Sequence, residues 1–503
     1  MVLNPVNVTS RLVETLQRDG RQVLAASLAR QRWFGGKGRQ LTGVRLLDHA
    51  SVPEASAPTT LIIVEVCYED ASREAYAIPM VVRPRTDPQS TPLLTLQAPE
   101  GPVDVWDATH DGDACLVLVD GIRHQRRWAG VSGRFTCRHT AIGESLLSLP
   151  IQSARVVSAE QSNTSVVYDD RLILKLIRKL EAGLNPDFEI MEFLTVHTSY
   201  RHVPRLVGHI QYEGAEFSAT AGVLQTFIPN HGDGWDYALR HLKALLAQQF
   251  SAGFFQEMRQ LGQITAELHL ALASDSSNPA FSPEGITPDD LAGWQHDMES
   301  QVRTVMAELR TEPARAGAGA FDLTEESVTI LEAACVKRLA DLSCLLHTPV
   351  AKIRSHGDYH LGQVLKTDQG FTIIDFEGEP ARPLADRRRK ACPLKDVAGM
   401  LRSFNYAANA ALRSAPSYAE HNRTVVTAWE TGVAHSFLEG YFEAAPPGET
   451  SFLPSSREDA LRVVRVFQLD KAIYELRYEL RNRPDWLAIP LQGLQALLRE
   501  NGA

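Results

Sequence analysis

The sequence predicts an α+β protein of two lobes, with a strand-rich N-terminal part and a helical C-terminal part. Three observations carry this. Short apolar runs of strand length, with Pro- and Gly-containing stretches between them, dominate to about residue 227. From about residue 236 the apolar spacing turns helical, over residues 237–248, 252–273, 288–309 and 324–345. One hairpin interrupts those helices: apolar runs at 364–365 and 371–374 flank the turn Asp368-Gln369-Gly370, and an acidic residue stands at an edge of each run.

Length and composition bound the answer. At 503 residues the chain exceeds one ordinary domain. Two or three domains are expected. A hydrophobic content of 44% and a charged content of 22% supply a sizeable core. With 51 basic and 61 acidic residues the formal charge is −10, which argues against a nucleic-acid partner. The six cysteines have no CxxC spacing and read as reduced thiols of a cytoplasmic protein. The first twenty residues lack the apolar core of a signal peptide, and no apolar stretch reaches about 18 residues, so no membrane partner is expected.

Residues 1–30 read as a helix through Leu12, Leu16, Val23, Leu24 and Leu28. Arg32-Trp33-Phe34-Gly35-Gly36-Lys37-Gly38-Arg39 follows. Its glycines lack the Walker A spacing, so it reads as a turn with Trp33 and Phe34 packed inward. Strands are expected at 61–66, 76–82 and 115–119, and loops at 53–60 and 87–103. The basic run 123–127 reads as a solvated face.

From about residue 150, strands at 155–157, 165–168 and 172–177 surround the turn Ala159-Glu160-Gln161-Ser162-Asn163-Thr164. Lys175 sits among aliphatic residues, where a charge is costly unless paired. One reading places it on the solvent face of an edge strand. The other makes it the strand lysine of a phosphoryl-transfer enzyme, holding the α and β phosphates of ATP and paired with a helix glutamate, Glu189. Asn185-Pro186-Asp187 starts that helix. Backbone N–H groups and the side chains of Ser162, Asn163, Thr164 and Ser165 would cover the phosphates. The strand pattern continues at 203–206 and 222–227. Backbone groups from Gln225 to Phe227, just before Pro229-Asn230, would hold adenine.

The hairpin completes the pattern. In the phosphoryl-transfer template a catalytic aspartate is followed five residues on by an amide metal ligand, and a second aspartate binds the metal. Here Asp358 would orient and deprotonate an attacking hydroxyl, Gln363 would replace the usual asparagine, and Asp375 would hold Mg²⁺ on ATP. His356 reads as a buttress of this loop. His360 either faces substrate or bonds Asp358. The last long helix carries two i, i+4, i+8 stripes, Asp470/Tyr474/Tyr478 and Lys471/Glu475/Glu479. They read either as a solvated face or as a sugar-binding wall of aromatic faces and carboxylates formed by Tyr474, Glu475, Tyr478 and Glu479.

Taken together, these stretches resemble the actinobacterial maltokinases over nearly the whole length. The resemblance is carried by Arg32-Trp33-Phe34-Gly35-Gly36-Lys37, Ala159–Ser165, Asn185-Pro186-Asp187, His356-Gly357-Asp358-Tyr359-His360-Leu361-Gly362-Gln363, Asp375-Phe376-Glu377-Gly378-Glu379-Pro380, the run 393–404, and the helix 469–479 with Arg483-Pro484. It implies a bilobal protein-kinase-like fold in which residues 1–110 form an extra N-terminal cap subdomain, 111–229 an intermediate subdomain that completes the N-lobe, and 230–503 the helical C-lobe. It also implies ATP-dependent phosphorylation of maltose on the anomeric hydroxyl, giving maltose 1-phosphate for α-glucan (glycogen) synthesis. Association with a trehalose/maltose-converting enzyme is a further implication. A glucosamine or other aminosugar kinase on the same scaffold is the alternative, and a catalytically weak regulatory pseudokinase is the third reading.

Overall fold

The computed structural model describes residues 5–87, 89, 91–99, 101–157, 162–249, 253–311, 324–347, 349–414 and 420–499. The chain forms two compact units, Met1–Thr195 with Pro204–Pro229, and Val196–Val203 with Asn230–Ala503.

In the first unit, helix α1 (Pro5–Arg30) buries Leu12, Leu16, Leu24 and Leu28. Their partners lie on an antiparallel sheet of β1 (Leu41–Ser51), β2 (Thr59–Tyr68), β3 (Arg73–Pro84), β4 (Leu94–Ala98) and β5 (Gly101–Asp107), ordered β1-β2-β3-β5-β4. Apolar side chains drive this because one helix face and one sheet face must both leave water. Trp33 and Phe34 pack inward as expected, their rings 5.9 and 5.2 Å from that of Tyr76. The expected loop over 87–103 instead holds β4 and the start of β5, because Leu94 and Leu96 alternate inward.

The expected strand at 115–119 is helix α2 (Gly112–Arg123). Asp111 caps it by accepting the Ala114 N–H at 3.0 Å. Cys115, Leu118, Val119 and Ile122 all bury, as one helical face would; a five-residue apolar run cannot separate this from a strand. A second antiparallel sheet follows, from β6 (Arg127–Ala129), β7 (Gly133–His139), β8 (Ala154–Val157), β9 (Thr164–Tyr168), β10 (Leu172–Leu176), β12 (Leu206–Gly214) and β13 (Ser218–Thr226), with the short β11 (Lys179–Leu180) joining β3 of the first sheet. The strand expected from 203 begins only at Leu206, after Pro204, which has no N–H to donate. Helices α3 (Ala141–Leu147) and α4 (Pro186–Val196) complete the unit.

The two sheets meet at Arg178, a fully buried cation. Its Nη2 lies 2.8 Å from Asp107 Oδ2, its Nε donates to Thr164 Oγ1 at 2.8 Å, and its guanidinium lies 4.8 Å from the Trp33 ring. The Arg178 carbonyl accepts the Ala77 N–H. One residue thereby couples β5, β9 and the turn after α1.

The second unit is helical. It comprises α5 (Gly234–Leu246), α6 (Phe254–Leu272), α7 (Pro288–Thr311), α8 (Glu325–Leu339), the short α9 (Leu384–Arg387), α10 (Leu394–Ser414), α11 (Glu420–Ala444), α12 (Arg457–Asn482) and α13 (Ala488–Arg499). Helix α6 crosses α11 closely enough that a Cβ on Gly262 would sit 2.0 Å from the Phe437 carbonyl oxygen, so only glycine fits. Short strands β14 (Glu284–Gly285) and β15 (Ala351–Lys352) pair, and β16 (Val364–Thr367) with β17 (Gly370–Ile373) form the expected hairpin. All six cysteines are free. Among the described residues, no helix is long and apolar enough to cross a membrane.

Candidate active site

The loop before β16 is held by one buried carboxylate. Asp396, in the first turn of α10, accepts the N–H groups of His356 at 2.7 Å and Gly357 at 3.0 Å. His269 Nε2 lies 3.1 Å from the same carboxylate, and its Nδ1 lies 2.9 Å from the Tyr441 hydroxyl. Burial alone would raise the Asp396 pKa. The bond from His269, charge on His269 and His356, and the Gly357 N–H overcome that and lower it. Gly357 turns the loop with φ +84. Sequence reasoning quoted Asp396 within a motif but gave it no role.

His356 buttresses the loop. Its Nε2 donates to the Ile374 carbonyl at 3.0 Å, and its ring packs 5.0 Å from Phe376. This links the loop to the segment after β17. There Asp375 adopts φ 67, a strained conformation for a residue other than glycine. Gln363 Nε2 donates to Asp375 Oδ2 at 3.0 Å, and the Ile374 N–H donates to the Gln363 carbonyl at 3.0 Å. The two expected metal-binding residues therefore stand together. A carboxylate and an amide offer hard oxygen donors, the type magnesium takes. His360 Nδ1 accepts the Gly362 N–H at 3.0 Å, and burial lowers its pKa, which favours a neutral ring.

Asp358, half-buried, meets a cation from α12. Lys471 Nζ lies 2.9 Å from Asp358 Oδ1 and 3.5 Å from Glu379 Oε1. Burial would lower the Lys471 pKa, but the two carboxylates raise it. Glu379 moves the opposite way: against burial, Lys395, Lys471 and Arg382 pull it down to about 2.

The other expected sugar contacts on α12 are largely engaged by the protein. Glu475 Oε2 accepts from Arg402 Nε and Nη2 at 3.0 and 2.6 Å. Glu479 is buried and accepts from Tyr406 at 3.1 Å and from Arg483 at 2.6 and 2.9 Å. Tyr474 is half-buried with Lys471 Nζ 4.6 Å from its ring centre, and Tyr478 is exposed. These contacts do not form one solvated face of i, i+4 pairs: Glu475 and Tyr406–Glu479 tie α12 to α10.

Beside the loop before β16 opens a cleft of about 640 Å³, within the range of small-molecule sites. Gly357 and Glu379 line it, with Phe467 and Asp470 from α12 and Trp294 and Asp297 from α7. Among the described residues, seven carboxylates and eight cationic side chains line it. Sequence reasoning missed Trp294 and Asp297; their i, i+3 spacing on an amphipathic helix looks like any other.

In the first unit Lys175 lies on β10, between β9 and β13, and is buried, which rules out the edge-strand reading. Its Nζ lies 3.6 Å from Asp187 Oδ2, a partner the sequence reading did not name. Glu189 is buried in the same first turn of α4, whose start is capped by Asn185 Oδ1 accepting the Asp187 N–H at 2.8 Å. Asn163, Thr164 and Ser165 are buried and Ser162 is exposed; Glu160 and Gln161 lie outside the described residues. Gln225 pairs with Ile173 on β10, and the Phe227 N–H donates to the Arg171 carbonyl.

Residues 28–111 match the family described as the maltokinase N-terminal cap domain. Two curated relatives are both named glucosamine kinase. The one from Streptacidiphilus jiangxiensis is 26% identical over 357 residues, covering 70% of this chain and 75% of the relative. The one from Mycolicibacterium smegmatis is 28% identical over 401 residues, covering 78% and 90%. A solved glucosamine kinase in complex with glucosamine, ADP and inorganic phosphate aligns with TM-score 0.65 and 19% identity, over 96% of this chain and 100% of that one. Another crystal form of a glucosamine kinase aligns with TM-score 0.67, 20% identity and coverage of 95% and 99%. The fold is that of these kinases. The matches support a sugar-kinase-like phosphotransferase with a maltokinase-type N-terminal cap.

Proposed function

We propose that the protein phosphorylates maltose at its anomeric hydroxyl with ATP, giving maltose 1-phosphate for α-glucan (glycogen) synthesis. The observation that carries the acceptor is the charge of the cleft beside Asp358. Its seven carboxylates are matched by eight cations, which suits a neutral, hydroxyl-rich disaccharide better than a cationic aminosugar. Its size also admits two sugar rings.

Asp358 orients the acceptor hydroxyl and takes its proton. Lys471 fixes that carboxylate and supplies positive charge where negative charge develops. Asp375 and Gln363 are the residues that would hold Mg²⁺, which when bound neutralises phosphate charge. In the first unit Lys175, with Asp187 and Glu189 near it in the fold or on the next helix, holds nucleotide phosphates. Ser162, Asn163, Thr164 and Ser165 cover them, and the backbone of Gln225 to Phe227 receives adenine. Catalysis rests on positioning and charge, because phosphoryl transfer asks for little covalent help. Association with a trehalose/maltose-converting enzyme rests on the family resemblance alone.

Glucosamine is the second reading, favoured by the names of both curated relatives. A panel of maltose, glucose and glucosamine, assayed for ADP release, decides between them. Maltose should exceed glucosamine in kcat/KM by at least about tenfold, a difference of one charge-assisted contact. A preference for glucosamine overturns the acceptor and leaves the kinase reading intact. Asp358→Asn should abolish transfer to every sugar while the protein stays folded, and full activity in that variant would overturn the kinase reading.

A further inference from the structure

A second cavity, of about 720 Å³, lies among α10, α11, α12 and α13 and shares no lining residue with the cleft beside Asp358. Among the described residues, its walls carry five arginines, Arg402, Arg413, Arg423, Arg457 and Arg465, and one carboxylate, Glu430. From outside the lining, Glu475 binds Arg402 and Glu439 binds Arg457. Arg413 lies 5.6 Å over the Trp486 ring, and Arg423 makes no ion pair among the described residues.

The cavity is also equipped for hydroxyl groups. Asn405 Nδ2 donates to Glu430 Oε1 at 2.6 Å, which orients the amide. Its Oδ1 is then buried and, among the described residues, accepts no hydrogen bond. A buried acceptor without a donor is costly, and a ligand hydroxyl removes that cost. Asn409, Gln468 and Gln492 add amides around it. Arginine forks match phosphate oxygens in geometry as well as charge.

We propose that this cavity binds a phosphorylated sugar: the arginines take the phosphate, and Asn405 with the neighbouring amides takes the hydroxyl-rich body. The site stands apart from the residues assigned to phosphoryl transfer, and its occupation consumes no ATP.

Isothermal titration at near-physiological salt tests it, with glucose 1-phosphate, glucose and inorganic phosphate as separate titrants. Glucose 1-phosphate should bind the wild-type chain more tightly than glucose or phosphate. The double variant Arg413→Ala/Arg423→Ala should weaken it at least about tenfold, the loss of one charge-assisted contact. Thr431→Glu, at an exposed lining position, adds a carboxylate and should weaken it similarly; it serves where the double variant fails to fold, as judged by circular dichroism. Absence of binding overturns the proposal. So does equal binding of glucose, or undiminished binding in both variants, which would assign the ligand to another site. Because none of these readings depends on turnover, they are independent of whether the protein is a kinase.

Discussion

Lys471 Nζ and Asp358 Oδ1 stand 2.9 Å apart although 113 residues separate them in the chain. The cation of α12 thus holds a carboxylate of the loop before β16, and the same ammonium lies 3.5 Å from Glu379.

Lys471→Met removes that cation and leaves two neighbouring carboxylates without it. Phosphotransfer should fall by roughly 10²-fold, the scale of losing one preorganised electrostatic group. The loss should appear in kcat more than in the KM for ATP, and Lys471→Arg should recover part of it. Steady-state kinetics of the three proteins provide the check. A Met variant with wild-type kcat would remove Lys471 from the mechanism.

Glu379 gives a pH-dependent signature. Its pKa is depressed to about 2, so its contribution to stability is complete above about pH 4.5 and is lost as pH falls toward 2. Glu379→Gln should therefore be less stable than wild type at neutral pH, by on the order of 3 kcal/mol. The difference should narrow as the pH falls below about 4.5. Urea unfolding of both proteins through this range measures it, and parallel curves would contradict the assignment.

Asp396→Ala strands the N–H groups of His356 and Gly357 and removes the partner of buried His269. The expected cost is about 3–5 kcal/mol, the scale of breaking a buried ionic contact. Asp396→Asn keeps one acceptor oxygen and should lose less. Chemical denaturation ranks the two variants; equal stability of Asp396→Ala and wild type would show that the loop is held by other means.

Arg178→Met leaves Asp107 buried without its cation, at a cost of about 3–5 kcal/mol. The double variant Arg178→Met/Asp107→Asn should regain part of that loss. Thermal unfolding of the four proteins forms a double-mutant cycle, and strictly additive losses would mean that the pair does not couple.

Local chemistry was legible wherever the residues that make it are neighbours in the chain. The β16–β17 hairpin, the start of α4 at Asn185-Pro186 and the inward turn of Trp33 and Phe34 were readable from turn residues, caps and apolar spacing. So was the proximity of Gln363 and Asp375, because one hairpin of fixed register returns the second to the first. Short runs without a decisive period were not: residues 115–119 read as a strand and fold as part of α2, and the alternation of β4 was lost within a proline-containing stretch. Tertiary structure alone decided which carboxylate holds the loop before β16, which cation meets Asp358, and which charges on α12 the protein itself consumes. Those pairings join Asp396 to His269, Lys471 to Asp358 and Arg402 to Glu475. The physical reason is that a charge pair depends on distance and burial, and neither is set by the identity of the residues beside it in the chain.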